Sequence, residues 1–238
     1  MIVVRNPDQI YQTQGQLQNG TFDGRWHFSF DRYYDPEYTH FGTLRVFNDN
    51  TFSPGAVWPL HPHRDIELVT YCVAGEFCHE DERGIGGVLK PGWAQHTTTG
   101  RGMWHAKINH RPDIPLRFIQ IWFFPWARDL EPFAEQKAVE RAERTNRFLP
   151  LVSNAYPDAL DIASDAQVYS CFLQKGKKAS YMPQAGRGVY LYLIEGGPVR
   201  VSGYLLPTLG AARITEESSL HVAAKQNAEL LLVDVLAS

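Results

Sequence analysis

Short runs of alternating apolar and polar residues dominate the first half of the chain, and glycine, proline and asparagine separate them. Alternation with a period of two is typical of β-strands that bury one face. We predict strands at residues 25–30, 42–47, 67–73, 86–89 and 116–124. We predict turns at Asn48-Asp49-Asn50, Ser53-Pro54-Gly55, Ala74-Gly75, Pro91-Gly92 and Gly100-Arg101-Gly102. Many short strands between such turns indicate an all-β sandwich or barrel.

The second half of the chain repeats this pattern. We predict strands there at residues 168–173, 189–194, 198–204 and 229–236. Residues 190–196 and the short strand after them resemble residues 69–75 and the strand that follows those. This weak internal repeat predicts two related barrels in tandem.

One segment departs from the strand pattern. Residues 131–147 are rich in Glu, Ala, Lys and Arg, which favour helix, but their apolar stripe is thin for a core helix. We therefore predict a charged connector that contains a helical turn. The predicted organisation is an N-terminal lobe at 1–130, a connector at 131–150 and a C-terminal lobe at 151–238.

Composition narrows the class of protein. The 238 residues are 44% hydrophobic and 21% charged, with a formal net charge of -3, which is ordinary for a globular protein. We expect no direct binding of nucleic acid, because the chain lacks a basic run. The three cysteines have no disulfide-framework spacing, the start does not resemble a signal peptide, and the apolar runs are strand-sized. We expect a cytoplasmic protein that does not enter the membrane.

The candidate chemistry lies in the run HPHRDIE at residues 61–67. His61, His63 and Glu67 share parity, so on one extended strand their side chains would point to the same face. His105 follows about forty residues later, after a Gly-x-Gly turn, and a barrel can bring its strand alongside the first. Neutral imidazoles in such a set suit Fe, Zn, Cu or Ni. The pattern predicts a three-histidine metal site, although two histidines one residue apart can also simply face solvent.

Other residues near this run have simpler interpretations. We expect His79 to be solvated and His96 to be a pocket-wall or surface residue. Trp58 and Trp104 stand beside the ligand-bearing elements and could line a pocket for a flat substrate.

The chain resembles the pirin family of bicupins, most closely its bacterial branch. The resemblance is carried by WHFSFDRYYDPEYTHFGTLRVFND, HPHRDIELVTYCVAGEF, HEDERG, TTGRGMWHAKIN and LRFIQIWFFP. It implies an all-β fold of two tandem cupin barrels (double-stranded β-helix, jelly-roll). It also implies one divalent metal ion, usually Fe²⁺, with Zn, Cu, Ni and Mn as alternatives. The implied ligands are His61, His63, His105 and a glutamate two residues further on, but that last position is Lys107 here.

Lys107 cannot replace the glutamate as a ligand, because an ammonium offers no lone pair to a metal. Three arrangements would accommodate it. In the first, the metal binds three histidines and Glu67. In the second, it binds three histidines and water, and Lys107 turns away or acts as a neutral acid/base group if burial lowers its pKa. In the third, the site holds no metal and Lys107 pairs with Glu67.

The second lobe is expected to hold no metal. Counting back from Gly196 as from Gly75 to His61 reaches Met182, and the position of His63 corresponds to Gln184. Neither side chain carries an imidazole.

The resemblance implies a metal-dependent dioxygenase that opens flavonols such as quercetin. Glu67 is the expected base for the substrate proton, and Lys107 is expected to stabilise the developing anion. The alternative that the family also offers is a non-enzymatic, metal-responsive regulator with a protein partner. Lys107 favours that alternative, because it removes the carboxylate that the enzymatic members carry.

Overall fold

The computed structural model describes residues 1–82 and 86–237, and strands dominate both ranges. The end of the HEDERG motif, Arg83-Gly84, lies outside the described residues. Helical structure in these ranges consists of 3₁₀ turns at Pro7–Gln9 and Arg141–Arg144. No helix in the part of the chain that the structure describes is long and apolar enough to cross a membrane.

The described residues form two compact units. The N-terminal lobe comprises Tyr11–Val139 and Leu160–Asp165, and the C-terminal lobe comprises Met1–Ile10, Glu140–Ala159 and Ala166–Ser238. The strands of the N-terminal lobe are β2 (Tyr11–Leu17), β3 (Gly20–Trp26), β4 (Leu44–Phe52), β5 (Val57–His63), β6 (Glu67–Ala74), β7 (Phe77–Asp81), β8 (Gly86–Leu89), β9 (Ala94–Thr98), β10 (Met103–Asn109), β11 (Leu116–Phe123) and β12 (Phe133–Lys137). The strands of the C-terminal lobe are β1 (Ile2–Arg5), β13 (Leu149–Val152), β14 (Ala166–Leu173), β15 (Lys178–Tyr181), β16 (Arg187–Gly196), β17 (Val199–Val201), β18 (Tyr204–Leu206), β19 (Ala211–Ile214), β20 (Leu220–Ala224) and β21 (Ala228–Leu236).

Two antiparallel sheets build the N-terminal lobe. The larger has the order β12-β9-β6-β11-β4-β3-β2, and the smaller has the order β5-β10-β7-β8. Aromatic side chains from both sheets share one core, in which the rings of Phe77 on β7 and Phe118 on β11 lie 4.9 Å apart. Such sheet-on-sheet packing is how a β-sandwich buries its two inner faces.

The C-terminal lobe repeats this construction with a more aliphatic core. Its sheets have the orders β1-β19-β16-β21-β14-β13 and β15-β20-β17-β18. Leu191, Leu230 and Val222 are fully buried between them, with other leucines and valines. The predicted all-β fold with two cupin-type lobes is therefore confirmed.

The observed boundaries of the lobes differ from the predicted ones. Residues 1–10 belong to the C-terminal lobe because β1 pairs with β19. Much of the predicted connector belongs to the N-terminal lobe, because β12 pairs with β9 along the edge of the larger sheet. Edge pairing thus overrides the helical propensity of residues 131–137, and the helical turn forms only at Arg141–Arg144.

Two local predictions in the first lobe are wrong. The predicted strand at 25–30 is centred too late, since β3 ends at Trp26. The predicted turn at Asn48-Asp49-Asn50 is the middle of β4. Pairing with β11 explains this, because Asn48 lies opposite Gln120 and Asp49 forms an ion pair with Arg117 at 2.7 Å. The turn preference of these short polar residues yields to partners more than sixty residues away.

Candidate metal centre

Strands β5 and β10 bring three histidines together. His61 and His63 lie two residues apart on β5, and His105 on β10 is the direct antiparallel partner of His61. One ring nitrogen from each lies within 4.8 Å of the others. A single ion with bonds of about 2.0–2.2 Å would draw the rings together by small rotations.

Glu67 does not join this group. The left-handed backbone of Asp65 (φ 51°) breaks the extended chain, and Glu67 begins β6 in the other sheet. Its Oε2 accepts hydrogen bonds from His96 Nε2 at 2.7 Å, Thr98 Oγ1 at 3.0 Å and the Ala163 amide at 3.0 Å. The parity argument therefore holds for His61 and His63 and fails for Glu67, because it assumed one unbroken strand.

A backbone carbonyl fixes the tautomer of His61. Its Nδ1 lies 2.8 Å from the Pro59 carbonyl oxygen, which can only accept a hydrogen bond. The Nδ1 atom therefore carries the proton when the ring is neutral, and Nε2 keeps its lone pair for a metal.

His79 is buried against His105, contrary to the prediction that it is solvated. The side chain is only 3% exposed, and its Nε2 lies 3.1 Å from Nδ1 of His105. With the His105 Nε2 lone pair toward the cluster, Nδ1–H donates to His79. This contact depends on the pairing of β7 with β10, which the sequence alone does not reveal.

Burial keeps these rings neutral. Desolvation, followed by the charge of Lys107, lowers the pKa of His61 to about 4 and that of His63 to about 3. Desolvation also lowers the pKa of His79 to about 4 and holds the pKa of His105 far below its usual value. At neutral pH the lone pairs are therefore free to bind a cation.

The residues present fit a transition-metal ion. Nε2 of His63 and Nε2 of His105 are buried and have no hydrogen-bond partner. A buried ring nitrogen without a partner costs free energy, and coordination to one ion would satisfy both atoms at once. His61, His63 and His105 are the residues that would hold it.

Lys107 lies two residues beyond His105, after a bulge in β10. Its side chain is buried, its Nζ donates to Gln120 Oε1 at 2.7 Å, and Nζ lies 5.5 Å from the centre of the Trp58 ring. Burial lowers the pKa of this amine to about 7. Two of the three arrangements that would accommodate Lys107 require Glu67 beside the histidines or Lys107. The Glu67 carboxylate instead accepts hydrogen bonds from His96 and Thr98, so neither of these two arrangements fits the structure.

A cavity of about 60 Å³ adjoins the histidines. Aromatic and amide side chains from β3, β4, β5, β10 and β11 enclose it, with one more aromatic ring from the segment after β3: Trp26, Phe30, Asn48, Asn50, Phe52, Trp58, His61, His63, Lys107, Phe118, Gln120 and Trp122. Trp58 thus lines a pocket as predicted, while Trp104 is 50% exposed and is not part of the lining. The amides of β4 and β11 were missed, although a glutamine inside the apolar run LRFIQIWF was a usable signal.

Two antiparallel sandwich lobes, one with a three-histidine cluster on two paired strands, define a bicupin. The bacterial pirin YhhW of Escherichia coli, solved in complex with nickel(II), superimposes on this chain with a TM-score of 0.91 at 27% identity over 100% of both chains.

The chain belongs to the pirin family. The Pirin family model matches residues 9–123, and the quercetinase C-terminal cupin domain matches residues 151–235. A pirin-like protein of Caulobacter vibrioides is 35% identical over 222 residues, covering 92% of this chain and 95% of the relative. Quercetin 2,3-dioxygenase of Escherichia coli K12 is 29% identical over 236 residues, covering 99% of each. These matches confirm the resemblance seen in the sequence.

Proposed function

We propose that the N-terminal lobe binds one divalent transition metal through His61, His63 and His105, and that the protein is a metal-dependent dioxygenase of the quercetin 2,3-dioxygenase type. The observation that carries the proposal is the set of three neutral imidazoles within reach of one another, two of which have buried Nε2 atoms without a hydrogen-bond partner. The names of the relatives and the nickel-bound pirin support it. Fe²⁺ is our proposed ion, with nickel as the alternative that the pirin structure supports.

The chemistry that the ion supplies when bound is Lewis acidity toward a substrate oxygen, with open positions for further ligands. The chain supplies the rest. The Pro59 carbonyl holds His61 in its ligating tautomer, and His79 Nε2 can accept a hydrogen bond from His105 Nδ1–H when the Nε2 atom of His105 binds the ion. Lys107 Nζ faces the same cavity, where the amine can take a hydroxyl proton and the resulting ammonium can lie against the oxyanion. Glu67 does not line this cavity, so we assign it a structural role in place of the catalytic one expected from the sequence.

Metal analysis is the first test of this proposal. Protein incubated with Fe²⁺ or Ni²⁺ should retain about one equivalent of metal, and the His61→Ala/His63→Ala double variant should retain none. His110→Ala, which removes an exposed histidine outside the cluster, is the matched control and should load normally. Equal loading of all three proteins would contradict the assignment of the ligands.

Oxygen consumption is the second test. The loaded protein should take up dioxygen in the presence of quercetin, and the double variant should not.

A second candidate function, a metal-responsive binding protein, is favoured by the buried amine that Lys107 places beside the histidines. Normal metal loading with no oxygen uptake on any flavonol would support that candidate and refute the dioxygenase.

A further inference from the structure

The cavity beside the histidines contains more hydrogen-bond donors than the protein itself uses. Gln120 is only 3% exposed, its Oε1 accepts from Lys107, and its Nε2 is therefore the donor that has no partner. The indole Nε1 of Trp122 is also buried without a partner. Lys107 donates one hydrogen bond to Gln120 and lines the same cavity. Native proteins rarely leave such groups unpaired, so a missing partner is expected there.

The lining of this cavity selects for negative charge. Lys107 contributes an amine that is cationic when protonated, and no acidic residue is found among the described side chains that line the cavity. The donors lie on the side of the histidine cluster, where the rings of His63 and Trp122 are 4.8 Å apart. Buried donors that line one small cavity in aromatic surroundings bind anions strongly, because water does not compete for them.

The size of the cavity limits the ligand. A volume of about 60 Å³ is small beside the roughly 300–1,000 Å³ of sites that enclose drug-sized ligands. It offers room for about four water-sized groups, which is enough for a carboxylate and one or two attached atoms. The unpartnered Oδ1 of Asn48 adds one acceptor to the lining. A hydroxyl group next to the carboxylate would satisfy that acceptor.

We propose that Lys107, Gln120 and Trp122 form a carboxylate-binding site beside the metal centre, and that this site binds a small hydroxycarboxylate. This inference rests on the proposed function in one respect only, namely that the ligand lies next to the metal. The carboxylate accepts hydrogen bonds from the ammonium, the amide and the indole, while its hydroxyl donates to Asn48. The three donors set the specificity of the site for anionic substrates.

Glycolate, with acetate as the analogue that lacks the hydroxyl, is the probe for this site. Binding is measured calorimetrically on metal-free and on nickel-loaded protein. The indole N–H signal of Trp122 is followed by NMR on the metal-free protein. We expect glycolate to bind more tightly than acetate and to move the indole signal downfield. Lys107→Met and Gln120→Met should each weaken glycolate binding by about 10-fold or more, whereas Lys90→Met, at an exposed lysine, should not.

The outcomes separate this inference from the proposed function. Normal nickel loading with no carboxylate binding would overturn the carboxylate site and leave the metal centre intact. If the protein binds glycolate but does not bind nickel, the metal centre is overturned and the carboxylate site stands. If quercetin binds through Lys107 and neither glycolate nor acetate displaces it, the oxyanion belongs to a flavonol and the small-acid proposal is wrong. Circular dichroism of Lys107→Met and Gln120→Met, with Trp122→Phe as a third variant, ensures that only folded proteins are compared.

Discussion

Lys107 places a titratable amine in a site with no carboxylate to pair with among the residues that line it. Desolvation alone lowers its pKa from 10.5 to about 7. The unfolded chain therefore binds a proton between pH 7 and 10.5 that the folded protein gives up. The penalty for burying the charge is complete below pH 7 and disappears as the pH rises toward 10.5.

Lys107→Met should consequently stabilise the metal-free protein at pH 7. Replacement of Lys107 by an apolar side chain of similar volume removes this penalty but also removes one hydrogen bond to Gln120, and we expect a net gain of about 1–4 kcal/mol. Each kcal/mol raises Tm by about 2–4 °C in a protein of this size. Thermal unfolding of both proteins from pH 6 to 10 measures the difference. The advantage of the variant should shrink as the pH rises, and an advantage that is constant with pH would contradict the lowered pKa.

His79 contacts the ring of His105, so substitutions of His79 can test whether it orients that ring for metal binding or only fills space beside it. Loss of an outer hydrogen-bond partner of a metal-binding histidine costs about 10–100-fold in affinity. We expect His79→Ala to weaken nickel binding to this extent and His79→Gln, whose Oε1 can still accept from His105 Nδ1–H, to recover most of it. Competition with a chromogenic chelator gives both affinities. Equal losses in the two variants would mean that His79 only fills space.

At the scale of elements, β6 and β9 are joined through Glu67. Its Oε2 accepts from His96 and Thr98 of β9 and from the Ala163 amide. Glu67→Gln weakens charge-assisted hydrogen bonds in a fully buried place, and we expect a loss of about 1–3 kcal/mol of stability with unchanged nickel affinity. Chemical denaturation and nickel titration of the same variant check both parts. A fall in nickel affinity without a fall in stability would restore Glu67 to the metal site.

The turn before β10 requires glycine for two reasons. Gly100 has a left-handed backbone (φ 42°), and a Cβ there would lie 1.8 Å from the Leu130 carbonyl oxygen. Gly55 also has positive φ (68°), but open space surrounds its missing Cβ. Gly55→Ala should cost about 1–2 kcal/mol from strain alone, and Gly100→Ala should cost more because the backbone must also shift. Equal melting temperatures for the two variants would refute this explanation.

The same elements indicate which parts of the site the sequence could predict. The histidines of β5 were found because parity over two residues is a local property of a strand. His79, Gln120 and Asn48 were missed because their roles depend on pairing with β10, β11 and β4. Glu67 was misplaced because the prediction passed through Asp65, a residue type that tolerates the left-handed conformation.

At the scale of the whole molecule, patterning predicted the fold class and the presence of two lobes. Alternation of apolar residues along short strands is repeated in both halves, and each half forms its own core. The lobe boundaries were not predictable, since residues 1–10 join the C-terminal lobe through a pairing that spans more than two hundred residues. Local propensity carries no information about such partners.

The low pKa values of the buried imidazoles have a consequence for the proton balance of metal uptake. His61 and His63, with pKa values of about 4 and 3, and His105, lower still, carry no proton at pH 7 that a cation must displace. The nearby proton that can leave is on Lys107, which is partly ionised there. Nickel binding should therefore release up to one proton from the wild-type protein and none from Lys107→Met. Calorimetric titration in two buffers of different ionisation enthalpy counts that proton, and release of more than one proton per metal from the wild-type protein, or of any proton from Lys107→Met, would mean that the histidines are charged before the ion arrives.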